Sequence, residues 1–142
     1  MPTILLQTDT TVGFLSQDSQ KLFEIKSRAQ IKPFLKLYTN FKYLKLEIRV
    51  PNSQKNFVRR SKKTTFIVKN QAFRVVSLSL NSQVIRNFYW QYSTSANESG
   101  KNFHRDFCED KSDIIIEDEY GLSEQHSSTL LKINSTKVRR LR

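Results

Sequence analysis

Residues 7–14, QTDTTVGF, carry the reading on which this chain turns. They follow residues 3–7 (TILLQ), an apolar run that reads as a buried first strand and ends where Thr8-Asp9-Thr10 begins. Four more short polar motifs follow in order. They are Lys26-Ser27-Arg28, Lys32-Pro33-Phe34, SANESG at residues 95–100, and Ser127-Ser128-Thr129. Each is rich in hydroxyls, positive charge or small turn residues, the groups that hold a phosphorylated ligand. One such motif means little. Five in order imply one ligand groove assembled from distant parts of the chain.

The remaining composition narrows the field. At 142 residues the chain is expected to form one domain over residues 1–142, long enough for a single core. Sixteen aromatics, ten Phe, five Tyr and one Trp, supply much of the apolar area that a 37% hydrophobic content withholds. No apolar run reaches membrane-spanning length, and no basic segment precedes the short apolar run at the start, so neither a membrane anchor nor a secretory leader is expected. A single cysteine, Cys108, allows no disulfide within the chain and fits a reducing, cytoplasmic setting. His104 and His126 lack partners at ligand spacing, so no structural zinc is expected.

The net charge of +11 is unevenly spread. Residues 55–69 hold Lys55, Arg59, Arg60, Lys62, Lys63 and Lys69 with no acid, and residues 132–142 hold Lys132, Lys137, Arg139, Arg140 and Arg142 with none. Residues 106–124 hold eight acids and one lysine. Such polarity suits an anionic partner on the basic side, nucleic acid included, and equally suits basic residues that only solubilise.

Patterning predicts a helix over 17–25 capped by Ser16, a short strand over 33–38, and a helix from Asn40 to Ile48 with Phe41, Leu44 and Ile48 on one face. A short basic helix is expected over 53–60. Strands are expected over 64–69 and 73–77, with Asn70-Gln71 between them. A helix over 82–88, strands over 91–95 and 113–117 (the latter buried), and two closing strands over 130–133 and 137–141 complete the reading. Residues 119–127 read as a flexible loop. The sum is a mixed, twisted sheet with packed helices.

Three glycines, Gly13, Gly100 and Gly121, leave no Gly-rich phosphate loop and no dinucleotide fingerprint. A phosphate must therefore be held mainly by side chains. Gly13 and Gly100 sit beside motifs, where tight turns would aim backbone amides at a ligand. Lys26 and Arg28 are two apart. An extended segment puts them on one side, toward one anion, with the preceding helix ending near Lys26; Pro33 favours extended backbone just before it. A helix C-terminus decorated with cations is the competing reading, and spacing alone favours it. SANESG follows a strand, at the end where open sheets take ligands, and is equally an ordinary Asx or Ser turn.

In order, these motifs resemble the YrdC-like family, the threonylcarbamoyl-adenylate synthases that begin threonylcarbamoyladenosine formation on tRNA. The family pattern PTDTVYGL, KGR, NPL, PGPxT, RVP, PSANxSG, STV and a late arginine is matched by QTDTTVGF, KSR, KPF, SKKTT (61–65), RVV (74–76), TSANESG, STL and VRR (138–140). The resemblance implies the YrdC-like α/β (α+β) fold, a twisted mixed β-sheet with flanking helices and a concave basic groove. It implies a nucleotidyltransferase that joins L-threonine, bicarbonate and ATP, with Mg2+ held mainly through the ATP phosphates. Lys26, Arg28, Ser95, Asn97, Ser128 and Arg140 would hold the nucleotide and its phosphates. Thr8, Thr10, Pro33 and Arg74 would line the threonine and adenylate pocket, with Arg74 on the threonine carboxylate. No catalytic acid or base stands out, so catalysis would rest on positioning and on charge at the attacked phosphorus. The family also implies tRNA-modification proteins as partners and a cytoplasmic location.

The sequence departs from the pattern at Val12, Lys32, Ser61-Lys62-Lys63 and Val76. A second reading is a non-catalytic relative that binds tRNA or double-stranded RNA, with Arg59, Arg60, Lys62 and Lys63 as RNA contacts. A third is a carbamoyl-transfer domain of the hydrogenase-maturation type.

Overall fold

The computed structural model describes residues 1–26, 34–76 and 88–142. Within them the chain forms nine strands and four α-helices, an α+β fold with mixed strand pairing. It gathers into two compact units, Met1–Phe34 with Gln91–Ser127, and Leu35–Trp90 with Ser128–Arg142. Residues 82–87 of the helix expected over 82–88 lie outside the described residues.

In the first unit, β1 (Ile4–Gln7) pairs antiparallel with β2 (Val12–Ser16) through the Thr8–Thr11 turn, and β2 pairs antiparallel with β6 (Trp90–Ser95). β7 (Ile114–Ile116) adds parallel to β1 on its other side. Sequence patterning missed β2. Val12, Gly13, Phe14, Leu15 and Ser16 are all buried, so the strand lacks the polar alternation that marks a half-exposed one. The expected strand at 113–117 is present as β7 but is not buried. Ile114 and Ile115 are each 43% exposed, because β7 lies at the outer edge of this unit's sheet.

Helix α1 (Ser19–Lys26) starts later than expected, and Ser16 is not its cap. Ser16 closes β2, and its hydroxyl accepts from the Asp18 amide at 3.0 Å. The Asp18 carboxylate accepts from the Gln20 and Lys21 amides at 3.1 and 3.4 Å, the N-cap pattern. The other helix of this unit, α4 (Arg105–Lys111), was not anticipated. Its acid-rich face masks the two residues that dock it, Phe107 and the fully buried Cys108. Burial pushes the Cys108 thiol above its ordinary pKa, which keeps it protonated and unreactive. Leu5, Phe14, Leu22, Phe34 and Cys108 form this unit's core.

In the second unit the strand order is β3 (Leu35–Tyr38), β5 (Gln71–Val75), β4 (Thr64–Val68), β8 (Thr129–Ile133), β9 (Val138–Arg140). β3–β5 and β4–β8 are parallel; β4–β5 and β8–β9 are antiparallel. The β4–β5 turn is Lys69-Asn70, one residue earlier than read from sequence. Both residues are left-handed, with φ 48° and 67°, as a two-residue hairpin turn requires. Helix α2 (Phe41–Glu47) is capped by Asn40, whose side chain accepts from the Tyr43 amide at 3.0 Å. A 3-10 turn (Asn52–Gln54) leads into α3 (Lys55–Arg60). Both helices bury Leu44 and Val58 against Phe66 and Phe73, whose rings stack 5.9 Å apart. Each such side chain stabilises by roughly 1.5–3 kcal/mol on burial.

Among the described residues no helix is long and apolar enough to cross a membrane.

Acid sensitivity is expected at the β7 edge. The Asp113 carboxylate accepts from the Thr3 amide at 2.8 Å and lies 3.6 Å from the Lys21 ammonium; these hold its pKa below the usual carboxylate value. Glu117 is lowered by the Arg105 guanidinium that grips it. A depressed folded pKa contributes stability above the unfolded value of about 4 and loses it as pH falls through the folded value. Thermal melts should therefore be flat between about pH 7 and 5 and fall below about pH 4. Asp113→Asn with Glu117→Gln should flatten that acid limb; an unchanged limb would remove these two carboxylates as its source.

Candidate functional site

The TDT turn, the SAN turn and Lys26 meet in the first unit. The hairpin register sets Gln7 opposite Val12, so the TDT turn hangs from the end of β1–β2. The β2–β6 register sets Gly13 opposite Ser95, so SANESG emerges beside that turn, and the Ala96 amide donates to the Val12 carbonyl at 2.9 Å. The Thr8 hydroxyl donates to the Thr11 carbonyl at 2.6 Å and lies 3.2 Å from that of Thr10, which is buried. The loop read as flexible is tied along this turn. The Ser123 amide donates to Gln7, and the Gln125 amide donates to the Thr11 hydroxyl at 2.9 Å.

Lys26 comes to the same place from the last turn of α1. Its side chain is buried, 4% exposed, and its ammonium donates to the carbonyls of Ser95 and Asn97 at 3.0 and 2.9 Å and to Asn97 Oδ1 at 2.6 Å. An ammonium has three N–H groups, and here each has an acceptor. Asn97 Oδ1 also accepts from the Ser95 hydroxyl at 2.8 Å, while its amide nitrogen donates to the Lys101 carbonyl. Lys26 and Asn97 thus fix the SAN turn from within and bring a buried positive charge under it. Gly100, at φ 79°, completes the turn in a region that disfavours any β-carbon. The exposed face of the turn carries Ser95 and Ser99. Gly13 is not a turn residue: it sits inside β2, where a β-carbon would stand 3.1 Å from Thr8 Cγ2 and 3.2 Å from the Thr94 carbonyl oxygen.

The second unit gathers a different set. The buried Thr65 and Ser128 hydroxyls lie 2.7 Å apart, Arg74 Nη1 donates to Thr65 Oγ1 at 3.3 Å, and Arg142 donates to the Ser128 carbonyl and hydroxyl at 3.0 and 3.3 Å. Parallel pairing of β4 with β8 brings Thr65 and Ser128 together; antiparallel pairing with β5 supplies Arg74. Between two hydroxyls that bond each other, one O–H remains to donate outward, flanked by two guanidiniums. That chemistry suits a carboxylate or phosphate. Thr65 and Arg142 were not among the sequence candidates. Thr65 ends the SKKTT match, and Arg142 lies two residues beyond Arg140. Arg140 itself is exposed on β9, with its Cα opposite that of Leu131.

Arg59, Arg60 and Lys62 line a cleft of about 580 Å³ with Asn40, Phe41 and Tyr43, and the Arg59 guanidinium lies 4.7 Å from the centre of the Phe41 ring. Lys63 is exposed, at φ 52°. Arg28 and Pro33, and the extended path expected between Lys26 and Lys32, lie outside the described residues.

Sequence comparison is silent: no family model matches the chain, and no curated protein matches it. Solved structures do match. The chain is similar to P. abyssi Sua5 complexed with L-threonine, with a TM-score of 0.78 at 19% identity over 99% of this chain and 50% of that one. The fold is YrdC-like. E. coli YciO matches with a TM-score of 0.78 at 17% identity, covering 99% of this chain and 82% of that one. Full-length HypF in a phosphate- and nucleotide-bound form matches at 0.79 and 12% identity, covering 99% and 26%. The chain spans about half the length of the Sua5 chains it matches. The α+β fold expected from the motifs is the one observed.

Proposed function

We propose that the chain makes threonylcarbamoyl-adenylate from L-threonine, bicarbonate and ATP. The observation that carries this reading is the internal wiring of Lys26 to Ser95 and Asn97 beside the TDT turn. Those motifs lie far apart in sequence, and a buried ammonium spent on shaping a hydroxyl-rich turn is a costly device unless the turn holds an anion. Two neighbours add support: Sua5 was crystallised with L-threonine, and HypF carries phosphate and nucleotide.

On this reading the SAN turn, with Ser95 and the charge of Lys26 behind it, receives the triphosphate. Thr8 and Thr10 line the adjoining wall. In the second unit, the Thr65–Ser128 pair with Arg74 and Arg142 has by itself the donors that suit a carboxylate such as that of threonine. The threonine amine and bicarbonate form a carbamate with loss of water. A carbamate oxygen then attacks the α-phosphorus; the new O–P bond forms as the bond to the bridging oxygen breaks, and pyrophosphate leaves. Catalysis comes from holding these groups in line and from positive charge set in place beforehand. Among the described residues no three carboxylate, imidazole or thiolate groups gather as metal ligands. Magnesium would arrive on the triphosphate.

The test is pyrophosphate release from ATP and bicarbonate with and without L-threonine. Release that requires threonine is the expected result. Absence of threonine-dependent release from folded protein would overturn the reading and leave a non-catalytic binding module in its place.

A further inference from the structure

We infer that the chain pairs head to tail with a second copy of itself, the basic strand β9 of one copy adding to the isoleucine strand β7 of the next. Both strands are sheet edges. Among the described residues β7 pairs only with β1, and β9 only with β8. An edge strand presents a row of backbone N–H and C=O groups that another strand can pair with, and proteins commonly blunt it with charge or proline. Ile114-Ile115-Ile116 has neither. Ile114 and Ile115 are successive, so they point to opposite faces, yet both are exposed. Four residues beyond the strand, Tyr120 is 82% exposed. At β9, Val138 and the following Leu141 are exposed as well.

Charge decides the occupant. β7 is flanked by Asp113 on one side and by Glu117, Asp118 and Glu119 on the other. Asp113 and Glu117 are paired with Lys21 and Arg105, while Asp118 and Glu119 make no ion pair among the described residues. β9 has the opposite sign. Lys137, Arg139 and Arg140 surround Val138, and among the described residues none of the three is in an ion pair. Arg139 also lies opposite Lys132 across β8–β9, a like-charged pair that opposes the pairing it sits in. Two β9 edges laid together would set these cations against each other, and two β7 edges would do the same with their acids. The mixed seam sets opposite charges across from one another and covers apolar groups on both strands. The net charge of +11 opposes association at long range. At about 0.15 M salt the Debye length is about 8 Å, which screens charges remote from the seam more than those within it. A three-residue strand makes a short seam, so a weak contact is expected, with a dissociation constant of about 0.1 mM. The contact uses a different surface on each copy, so a defect in one surface is complemented by a copy defective in the other.

The experiment is sedimentation velocity on the full chain at about 0.15 M salt, at concentrations on both sides of about 0.1 mM. The average mass should rise with concentration. One variant carries Ile114→Lys with Ile115→Lys, the other Lys137→Glu with Arg139→Glu; all four side chains are exposed, and circular dichroism checks each fold. Alone, each variant should associate at least about tenfold more weakly than the parent. An equimolar mixture should regain association, because the first variant keeps its β9 and the second its β7. A further measurement needs neither variant: fluorescence anisotropy of a labelled peptide with the sequence of residues 136–142 against the parent chain. The peptide should bind, and its analogue with glutamate at positions 137 and 139 should not. A chain that stays monomeric throughout, parental association in either variant alone, or a mixture that associates no better than its parts would overturn the inference. Absence of peptide binding would overturn it even where a variant fails to fold. A monomeric chain that still binds the peptide would overturn the second copy as occupant in favour of a basic segment of another protein.

Discussion

Lys26→Met should unfold at markedly lower urea, with a loss of about 2–4 kcal/mol, and should bind ATP too weakly to measure beside the parent chain. Methionine keeps the length of the side chain and removes the three donors. The Ser95 and Asn97 carbonyls and Asn97 Oδ1 then lose their partner. A buried polar group left unpaired costs about 1–3 kcal/mol, and water reaching the exposed Ser95 edge will recover part of that sum. The Ser95–Asn97 bond depends on the same oxygen, so the turn should lose its shape as well as its stability. Lys26→Arg should rescue poorly, because a planar fork cannot meet three acceptors arranged for a tetrahedral ammonium. Equilibrium urea unfolding and ATP calorimetry on the same samples separate the two effects. A variant within about 0.5 kcal/mol of the parent would show that the ammonium contributes no net stability, and ATP affinity at parental strength would remove Lys26 from the site.

This role was only partly legible beforehand. Short-range chemistry marked Lys26 as a cation near a ligand. It could not show that the acceptors come from residues 95 and 97, about seventy positions away, because that contact depends on β2 pairing with β6. The elements that sequence placed well are those whose local signals agree with their burial. Asn40 caps α2 as its side chain dictates, and the β-branched and aromatic runs around Phe66 and Phe73 form strands. The failures have physical reasons. β2 is buried on both faces and carries a glycine, so neither periodicity nor propensity marks it. α4 is docked by Phe107 and Cys108 alone amid charge. Three consecutive isoleucines identify β7 as a strand but cannot say that its outer neighbour is solvent. The Thr65–Ser128 pair arises from a parallel pairing between strands some sixty residues apart, which no motif encodes. The order of the motifs was the most informative signal, because it needs no knowledge of pairing.

Gly13→Val should be the other large loss, and it tests whether the TDT and SAN turns work as one object. Gly13 lies between Leu6 on β1 and Ser95 on β6, in a strand buried along its whole length. A bare β-carbon there would press on Thr8 Cγ2 at 3.1 Å and on the Thr94 carbonyl oxygen at 3.2 Å. The carbonyl is fixed in the sheet. Thr8 is held by its own bonds to Thr11 and Thr10, so it can retreat only by breaking them. Alanine asks for a few tenths of an ångström and gains back some backbone entropy, so Gly13→Ala should cost less than about 1 kcal/mol. Valine adds two methyl groups to a space already closed, and overpacking of that kind costs about 1–3 kcal/mol. The functional loss should exceed the loss in stability, because the group displaced first is Thr8, in the wall of the proposed pocket. Urea unfolding should therefore rank glycine above alanine above valine, while threonine-dependent pyrophosphate release should already fall at alanine. If valine were as stable and as active as glycine, the close approach of these two turns would have no energetic consequence, and the proposed site would lose the wall on which its geometry depends.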